Sequence, residues 1–531
     1  MQLERSIGLI GLTFVAVGGV LGSGWLFAPL LAAEQAGPAA VLAWVIGAFA
    51  VLLLAMTFAE VTAILPVAGG LARIPYFSHG NVVAGIMGWT AWIGYAVMAP
   101  IEVSIMLNYL APEAPWAFGA NSTRDAIVLS PYGVGLVVLM MAVMTVINAF
   151  GVAFFARINT SLTWFKIILP IVVGVILIAS RFDVSNFTDH GGFAPFGLSG
   201  VFAAVTTGGV VFAFIGFRHA IDMAGETKNP QVTIPIALVL ALVICGGIYL
   251  LLQVAFIGAL DKQELANGWK GITFGHDGGP LAAIAQTLAL LWLVSVIVGG
   301  AIISPFGSAL VATGSNGRLV MALANNGFFG ATLKKLSPRG VPLHALVLNL
   351  VVGTIAVIAL PFHELVALNS SAITLSLASG PLALLALRRL APNQERWFRL
   401  PAAPVLAGLA FIFATLIVYW SGWDTLQSLG LAMGVGVVFF VWRHRSTGLQ
   451  GLELRGANWL LPYIAAIGLV SAFGQFDGSG DIPLGWDMAI LAAVSVVLLV
   501  LAVRVRISRE KFQQRHRMSV ATADPPPQDI Q

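Results

Sequence analysis

The chain is patterned as long apolar segments separated by short polar ones. Uncharged runs long enough to cross a membrane recur, for example at residues 36–59, 126–156, 229–260 and 278–317. A helix of about 20 apolar residues crosses the roughly 30 Å of bilayer hydrocarbon. We therefore predict an all-α integral membrane protein with about 14 transmembrane helices. Their predicted centres are Leu21, Val51, Tyr95, Met140, Ile171, Phe212, Val243, Val296, Val351, Ser376, Phe411, Val437, Ile467 and Ser495.

Composition places the chain in the same class. Of 531 residues, 58% are hydrophobic and 9% are charged, whereas a soluble domain has about 25% charged residues. The mean hydropathy is +0.93. The lipid bilayer is therefore the expected surrounding, and the net charge of +4 needs no nucleic-acid partner.

The distribution of Lys and Arg predicts the orientation, because short cytoplasmic loops retain these residues. With the N-terminus inside, 22 of the 27 Lys and Arg residues lie in cytoplasmic segments. Four lie outside (Arg124, Arg181, Lys262 and Lys270), and Lys166 lies within a span. We expect a multi-pass protein of the plasma membrane, in a bacterium the inner membrane, with both termini cytoplasmic. The first apolar stretch lacks a cleavage pattern and is expected to remain as a membrane anchor.

Two predicted spans are rich in glycine at mid-membrane. The first contains GGVLGSGWLF at residues 18–27, and the sixth contains Gly208, Gly209 and Gly216. The two clusters lie five helices apart, so the second group of five helices enters the membrane from the opposite side. Paired interrupted helices in matching positions are typical of transporter binding sites.

An interrupted helix leaves amide and carbonyl groups without helical partners. Such groups are tolerated in a bilayer only where they face protein or a water-filled cavity. A carboxylate satisfies the N–H groups at a helix N-terminus, and an ammonium satisfies freed carbonyls. The breaks therefore predict a site for a zwitterion. The alternative is that these glycines only allow close helix packing.

Several motifs together resemble the amino acid–polyamine–organocation (APC) superfamily of permeases. They are GGVLGSGWLFAP near the start, EVTAILPVAGG at 60–70, FAFIGFRHAIDMAGETKNP at 212–230, and RLVM with ANNG between 318 and 327. The resemblance covers about the first ten helices.

This resemblance implies a LeuT-type fold of two inverted five-helix repeats working by alternating access. The repeats would span residues 1–180 and 181–390, followed by four peripheral helices over 391–505 and a disordered cytoplasmic tail over 506–531. It also implies the substrate-binding residues. These are Gly22, Ser23 and Gly24 for the carboxylate, Ala213, Phe214 and Gly216 for the amino group, and Phe212 as a covering aromatic ring.

Lys166 stands in the fifth span, away from any predicted loop. A lysine among apolar residues is costly when charged, so it can serve as a proton carrier. In the resemblance a lysine on helix 5 occupies the place where sodium-coupled members bind a cation. The alternative is snorkelling of the side chain towards the cytoplasmic interface.

Arg218 follows the glycine-rich part of the sixth span. Facing the cavity, it could hold a second carboxylate in bidentate fashion and so select aspartate or glutamate. Alternatively, it pairs with Asp222 or Glu102 and stabilises an inner gate. Glu102, in the third span, either is protonated during transport or is a permanent partner of Arg218.

Several other polar residues are predicted to have roles other than holding the substrate carboxylates or the proton. Glu60, Asp222 and Glu226 match family positions for gating contacts. His219 is interpreted as a satisfied interfacial histidine. Asn369, Ser370 and Ser371 are candidates for the cavity wall.

The resulting prediction is a secondary active transporter, a proton-coupled symporter of an acidic amino acid, with that amino acid and H⁺ as its ligands. Amino acid exchange and neutral amino acid permease activity remain alternatives. An enzyme is not expected, because the histidines are scattered and no metal-ligand spacing or P-loop occurs. No cofactor or metal is expected. The sequence leaves the oligomeric state open.

Overall fold

The computed structural model describes residues 5–119, 128–272, 274, 279–394, 396–445 and 452–523, without the side chains of 152, 153, 363, 367 and 519–523. Arg124 and the end of the predicted tail lie outside this part of the chain. The helices are α1 (Leu9–Val20), α2 (Gly24–Ala36), α3 (Ala40–Ile64), α4 (Gly70–Ser78), α5 (Asn81–Tyr109), α6 (Pro131–Ala149), α7 (Val152–Ser180), α8 (Gly197–Thr206), α9 (Val210–Phe214), α10 (Arg218–Asp222), α11 (Pro230–Ala259), α12 (Pro280–Thr287), α13 (Leu291–Asn325), α14 (Leu343–Ala359), α15 (Phe362–Leu377), α16 (Ser379–Leu390), α17 (Ala403–Trp420), α18 (Trp423–His444), α19 (Leu460–Phe473), α20 (Trp486–Arg504) and α21 (Arg509–Ala523).

The predicted all-α membrane class is confirmed. Among the described residues, twelve helical segments are long and apolar enough to cross a membrane, and α1 and α14 are shorter apolar helices. Thirteen of the fourteen predicted centres lie within helices, and Leu21 lies in the break between α1 and α2. The number of fourteen spans stays a prediction.

The same order of elements occurs twice. A long helix preceded by a short one appears as α4 with α5 and again as α12 with α13. The equivalent long helices contact each other, α5 against α13 and α3 against α11. This pairing places the two interrupted spans, α1–α2 and α8–α10, beside each other in the middle of the bundle.

The two faces of the bundle differ in what lies on them. We call the face at which α1 begins the near face, and the opposite one the far face. At the near face Ile7 exchanges backbone hydrogen bonds with Glu226 and Lys228, at 3.0 and 2.8 Å. Helix α21 contacts α4, and α4 contacts α10. Both ends of the described chain therefore meet at the near face.

Disorder was predicted over 506–531, and within the described part of that range, 506–523, the chain is largely helical. Residues Arg509–Ala523 form α21, and Arg515 donates to Glu453 at 2.8 Å and lies 3.8 Å over the ring of Tyr76. Lys511 pairs with the same Glu453 at 3.1 Å. The polar composition of this segment indicated solvation, but its basic side chains find an acidic partner in the loop after α18.

Acidification is expected to loosen α21. Burial by itself would raise the pKa of Glu453, but hydrogen bonds and attraction from Arg515, with those from Lys511 and the Asn81 amide, lower it overall from its ordinary value of 4.5. A lowered pKa in the folded state means that the stabilisation is present above the ordinary value and is lost as pH falls through the lowered one. The protection factors of the α21 amides against hydrogen exchange should therefore fall in acid.

The variant Glu453→Gln should open α21 at neutral pH by about fivefold, since such a pair contributes about 1 kcal/mol. Glu510→Gln on the exposed side of α21 is the matched control and should leave exchange unchanged. Equal protection of α21 in wild type and Glu453→Gln would contradict this role of the ion pairs.

Candidate substrate and proton site

The first span is interrupted where its glycines predict. Helix α1 ends at Val20 and α2 begins at Gly24, which confirms the predicted break. Three successive carbonyls at the end of α1 accept hydrogen bonds from side chains. Lys166 on α7 donates to the Gly18 oxygen, Ser308 on α13 donates to the Gly19 oxygen at 3.2 Å, and Tyr249 on α11 donates to the Val20 oxygen at 2.7 Å. The protein itself therefore satisfies the carbonyl side of the break.

The amide side of the break is only partly satisfied. The N–H of Ser23 donates to Oε2 of Glu102 at 2.9 Å. Within the described part of the chain, the N–H groups of Gly24 and Trp25 have no acceptor. They form the N-terminus of α2, where the helix dipole favours negative charge. This end of α2 can accept a carboxylate.

Lys166 and Glu102 place opposite charges on the two sides of the break. Each is 1% exposed, and their charges attract. The ammonium of Lys166 lies between α1 and Gly307 of α13, where a Cβ built on the glycine would be 3.1 Å from Nζ. The side chain thus enters the bundle, and the snorkelling alternative does not describe its position.

The second interrupted span has two irregular points. Helix α8 ends at Thr206, and Gly209 has φ +79°, a left-handed conformation that glycine adopts without strain. A 3₁₀ turn at Ile215–Phe217 then separates α9 from α10. At this turn Gly216 contacts the backbone of Gly19 directly, and a side chain at 216 would meet that backbone. The two breaks therefore touch.

A cavity of about 490 Å³ lies between the two interrupted spans. It runs from the buried Ser23 to Leu31 and Glu34 near the far end of α2. The other polar residues of its wall are Asn108, Thr206, Thr207, Ser370, Ser421 and Thr425. Its volume is in the range of small-molecule sites, and it extends towards the far face.

The structure brings together three of the predicted substrate-binding residues. Ser23, Gly24 and Phe212 all line the cavity. Ser23 is 1% exposed, and its Oγ has no hydrogen-bond partner among the described residues. A hydroxyl that is buried, unpaired and at the cavity wall is suited to a polar ligand.

The remaining predicted residues lie behind this wall. A Cβ on Gly22 would meet the Glu102 carboxylate, and one on Gly24 would lie 2.9 Å from Cβ of Ala213. Phe214 points away and packs edge-on against Trp44, with ring centroids 5.6 Å apart. Gly216 serves the contact with α1. Glycine at 22, 24 and 216 is thus explained by close approach.

Arg218 does not line the cavity. It is 0% exposed, donates to the Ile215 oxygen at 2.9 Å and lies 4.3 Å over the ring of Tyr95. Tyr95 donates in turn to Asp222. In this structure Arg218 therefore does not face the cavity, and its role in substrate binding stays a prediction. The carboxylate of Glu102 accepts from the N–H of Ser23 and not from Arg218.

The near face is closed by buried ion pairs. Arg318 at the end of α13 holds Glu226 in bidentate fashion, with both distances 2.8 Å. Glu60 on α3 accepts from Arg388 at 2.7 and 2.9 Å and from Arg396 at 2.9 Å. These contacts, with the Ile7 backbone pairing, separate the cavity from the near face.

Sequence reasoning missed Tyr249, Ser308 and Tyr95. The only signal was a polar side chain within an otherwise apolar span, which also describes many helix-packing residues. Of the three candidates on α15, Ser370 lines the cavity, whereas Asn369 donates to the Gly94 oxygen at 2.6 Å. His219 is not satisfied, as described below.

Two neighbouring interrupted helices that border a cavity are typical of multi-pass membrane transporters. The sequence comparisons specify the family. A profile described as amino acid permease matches residues 7–448, and the chain belongs to this family.

Individual relatives align over nearly the whole chain. The glutamate/serine transporter AimA of Bacillus subtilis (strain 168) is 34% identical over 513 residues, which cover 95% of this chain and 94% of the relative. The aspartate-proton symporter of the same organism is 33% identical over 505 residues, 94% and 96% of the two chains. The branched-chain amino acid permease BcaP, also from that organism, is 26% identical over 461 residues, 85% and 95%.

Proposed function

We propose that this protein is a secondary active transporter that carries an acidic amino acid, aspartate or glutamate, together with a proton by alternating access. The observation that supports it best is Lys166, a buried titratable cation bonded to the broken end of α1. Two relatives that align over most of the chain are named for glutamate/serine transport and for aspartate-proton symport.

The substrate would bind with its α-carboxylate at the start of α2. The N–H groups of Gly24 and Trp25 and the Ser23 hydroxyl supply donors there. The ammonium would lie towards α9, under the ring of Phe212. The amide of Asn108 and the hydroxyl of Ser370 supply further donors in the wall.

Proton coupling would operate through Lys166 and Glu102. When Lys166 is protonated, its ammonium holds the Gly18 carbonyl and faces the Glu102 carboxylate across the break. Loss of the proton weakens the bond to Gly18, because charge-assisted hydrogen bonds are about twice as strong as neutral ones. The proton would pass to water on the near side as α1 moves away from α13 and the near face opens, so that proton and substrate leave on the same side.

The proposal includes a topology. The near face carries most of the Lys and Arg residues and would be cytoplasmic, with both termini inside and the protein in the inner membrane of a bacterium. Residues 1–180 and 181–390 would be the inverted repeats, and the helices after 390 would be peripheral. The cavity in this structure would then open to the outside.

Transport into proteoliposomes tests the proposal. With an imposed pH gradient, alkaline inside, labelled aspartate should accumulate above its equilibrium level and saturate. Unlabelled glutamate should compete, and a protonophore should abolish accumulation. Uptake that requires a preloaded amino acid and ignores the pH gradient would indicate exchange and contradict symport.

One observation favours a small neutral amino acid as a second candidate. The described wall of the cavity contains no Lys or Arg, and its charged residue is Glu34. A neutral hydroxyl-bearing substrate needs no cation there. Competition by all amino acids at two pH values separates the candidates: serine outcompeting aspartate at both values would favour the neutral substrate.

A further inference from the structure

Four buried nitrogen atoms below the first break have no hydrogen-bond partner within the described residues. They are Nε and Nη2 of Arg218 and both ring nitrogens of His219. Both side chains are 0% exposed. More than about 90% of buried polar atoms in proteins are hydrogen-bonded, so two adjacent residues with four unsatisfied nitrogens require an explanation.

The acidic side chain nearest to this pair is already engaged. Asp222 accepts from Tyr95 and, at 3.5 Å, from the backbone of Leu71. Its charge attracts that of Arg218, but no hydrogen bond joins Asp222 to the guanidinium among the described residues. The Tyr95 ring instead contacts both side chains, with Arg218 over its face and His219 at 5.4 Å edge-on. Arg218 thus carries a charge without a bonded anion.

The pair lies between the break and the near face. His219 contacts Gly19 on α1, where a Cβ would meet the imidazole ring, and Gly216 beside it contacts the same stretch of α1. The last turn of α1 thus lies directly against His219 and the 3₁₀ turn that precedes Arg218. On the α1 side this contact is made by the backbone of Gly19, which has no side chain to interlock with α10.

We propose that Arg218 and His219 form a release-side site for the side-chain carboxylate of the substrate, closed here and uncovered when the end of α1 at Gly19 moves away from Gly216. This inference rests on the proposed transport of an acidic amino acid. A guanidinium with two free donors matches a carboxylate, and a neutral imidazole adds one more donor. The cavity lacks a cation on its far side, so the acidic side chain is held by charge only after the near face opens.

Transport measured from each face tests this site. Right-side-out and inside-out membrane vesicles expose the far and near faces, respectively, under the proposed topology. Arg218→Met should raise the half-saturating aspartate concentration about tenfold or more from the near face, since a hydrogen bond to a charged group is lost. From the far face the half-saturating aspartate concentration should change less than about twofold, and the half-saturating serine concentration should not change from either face.

The controls separate this site from a general defect. Arg157→Met removes an exposed near-face arginine and should not change the half-saturating aspartate concentration measured from either face. Arg218→Lys keeps the charge but loses the bidentate geometry. It should raise the half-saturating aspartate concentration less than Arg218→Met does, and again from the near face only. It is the variant to use if Arg218→Met does not reach the membrane. His219→Phe should also act from the near face alone.

Two outcomes would overturn the inference. One is that Arg218→Met raises the half-saturating aspartate concentration equally from both faces, or raises that of serine as well, which would indicate a structural role for Arg218. The other is an unchanged near-face constant for aspartate. If the wild-type protein carries no acidic amino acid from either face, the proposed function itself fails and the release-side site falls with it; wild-type transport distinguishes the two failures.

Discussion

Replacing Lys166 by Ala is expected to abolish accumulation of substrate driven by a pH gradient. The change removes the donor to the Gly18 carbonyl and the positive charge that faces Glu102 across the break. An unpaired buried carboxylate costs about 3–5 kcal/mol, so Glu102 would remain protonated and the coupling charge would be lost. The measurement is uptake of labelled aspartate into proteoliposomes, alkaline inside.

The controls for this prediction use a second lysine and a second substitution. Lys262→Ala, in the exposed loop after α11, should accumulate substrate like wild type. Lys166→Met keeps most of the side-chain volume without the amine and should behave like Lys166→Ala, which excludes a packing defect as the cause. Wild-type accumulation by either Lys166 variant would remove Lys166 from the coupling mechanism.

Replacing Gly216 by Ala is expected to reduce transport about tenfold or more. The added methyl group would overlap the carbonyl group of Gly19 and the amide of Val20, which are backbone atoms and cannot rotate away. Forcing extra atoms into a packed contact costs about 1–3 kcal/mol or more, and each ~1.4 kcal/mol shifts a population about tenfold. Transport rate and the melting temperature in detergent should fall together.

Gly247→Ala on α11 is the matched control. It is the same substitution in a membrane helix, and nothing lies within 4 Å of the Cβ it would add. Alanine favours a helix over glycine by up to about 1 kcal/mol, so this variant should be at least as stable as wild type. Transport by Gly216→Ala equal to that of Gly247→Ala would show that the contact between α1 and the 3₁₀ turn is not tight.

The sixth span illustrates the limit of a local argument. Glycines at 208, 209 and 216 predicted a break, and the structure has one irregular point at each location. Glycine allows a helix to be interrupted, but it does not determine which backbone conformation the interruption adopts. A left-handed turn occurs at Gly209 and a 3₁₀ turn at Gly216, because the first accommodates α2 and the second packs on α1.

Arg218 illustrates the same limit for a side chain. Its position after a predicted break was correct, and its charge indicated a carboxylate partner. Whether its side chain faces the cavity depends on the orientation of α10 about its own axis, and the hydropathy of the sequence does not give that orientation. Packing of its guanidinium on Tyr95, 123 positions earlier in the chain, decides the direction.

The sequence by itself determined the membrane class, the positions of the spans, the two breaks and the single lysine within a span. These properties are local, since hydropathy and backbone freedom are read over about 20 consecutive residues. Only the tertiary structure decided which side chains complete the first break. Lys166, Tyr249 and Ser308 reach its carbonyls from 148, 229 and 289 positions away. It also decided that the cavity extends to the far face and that the basic tail docks as α21, because such contacts exist only once separate helices pack together.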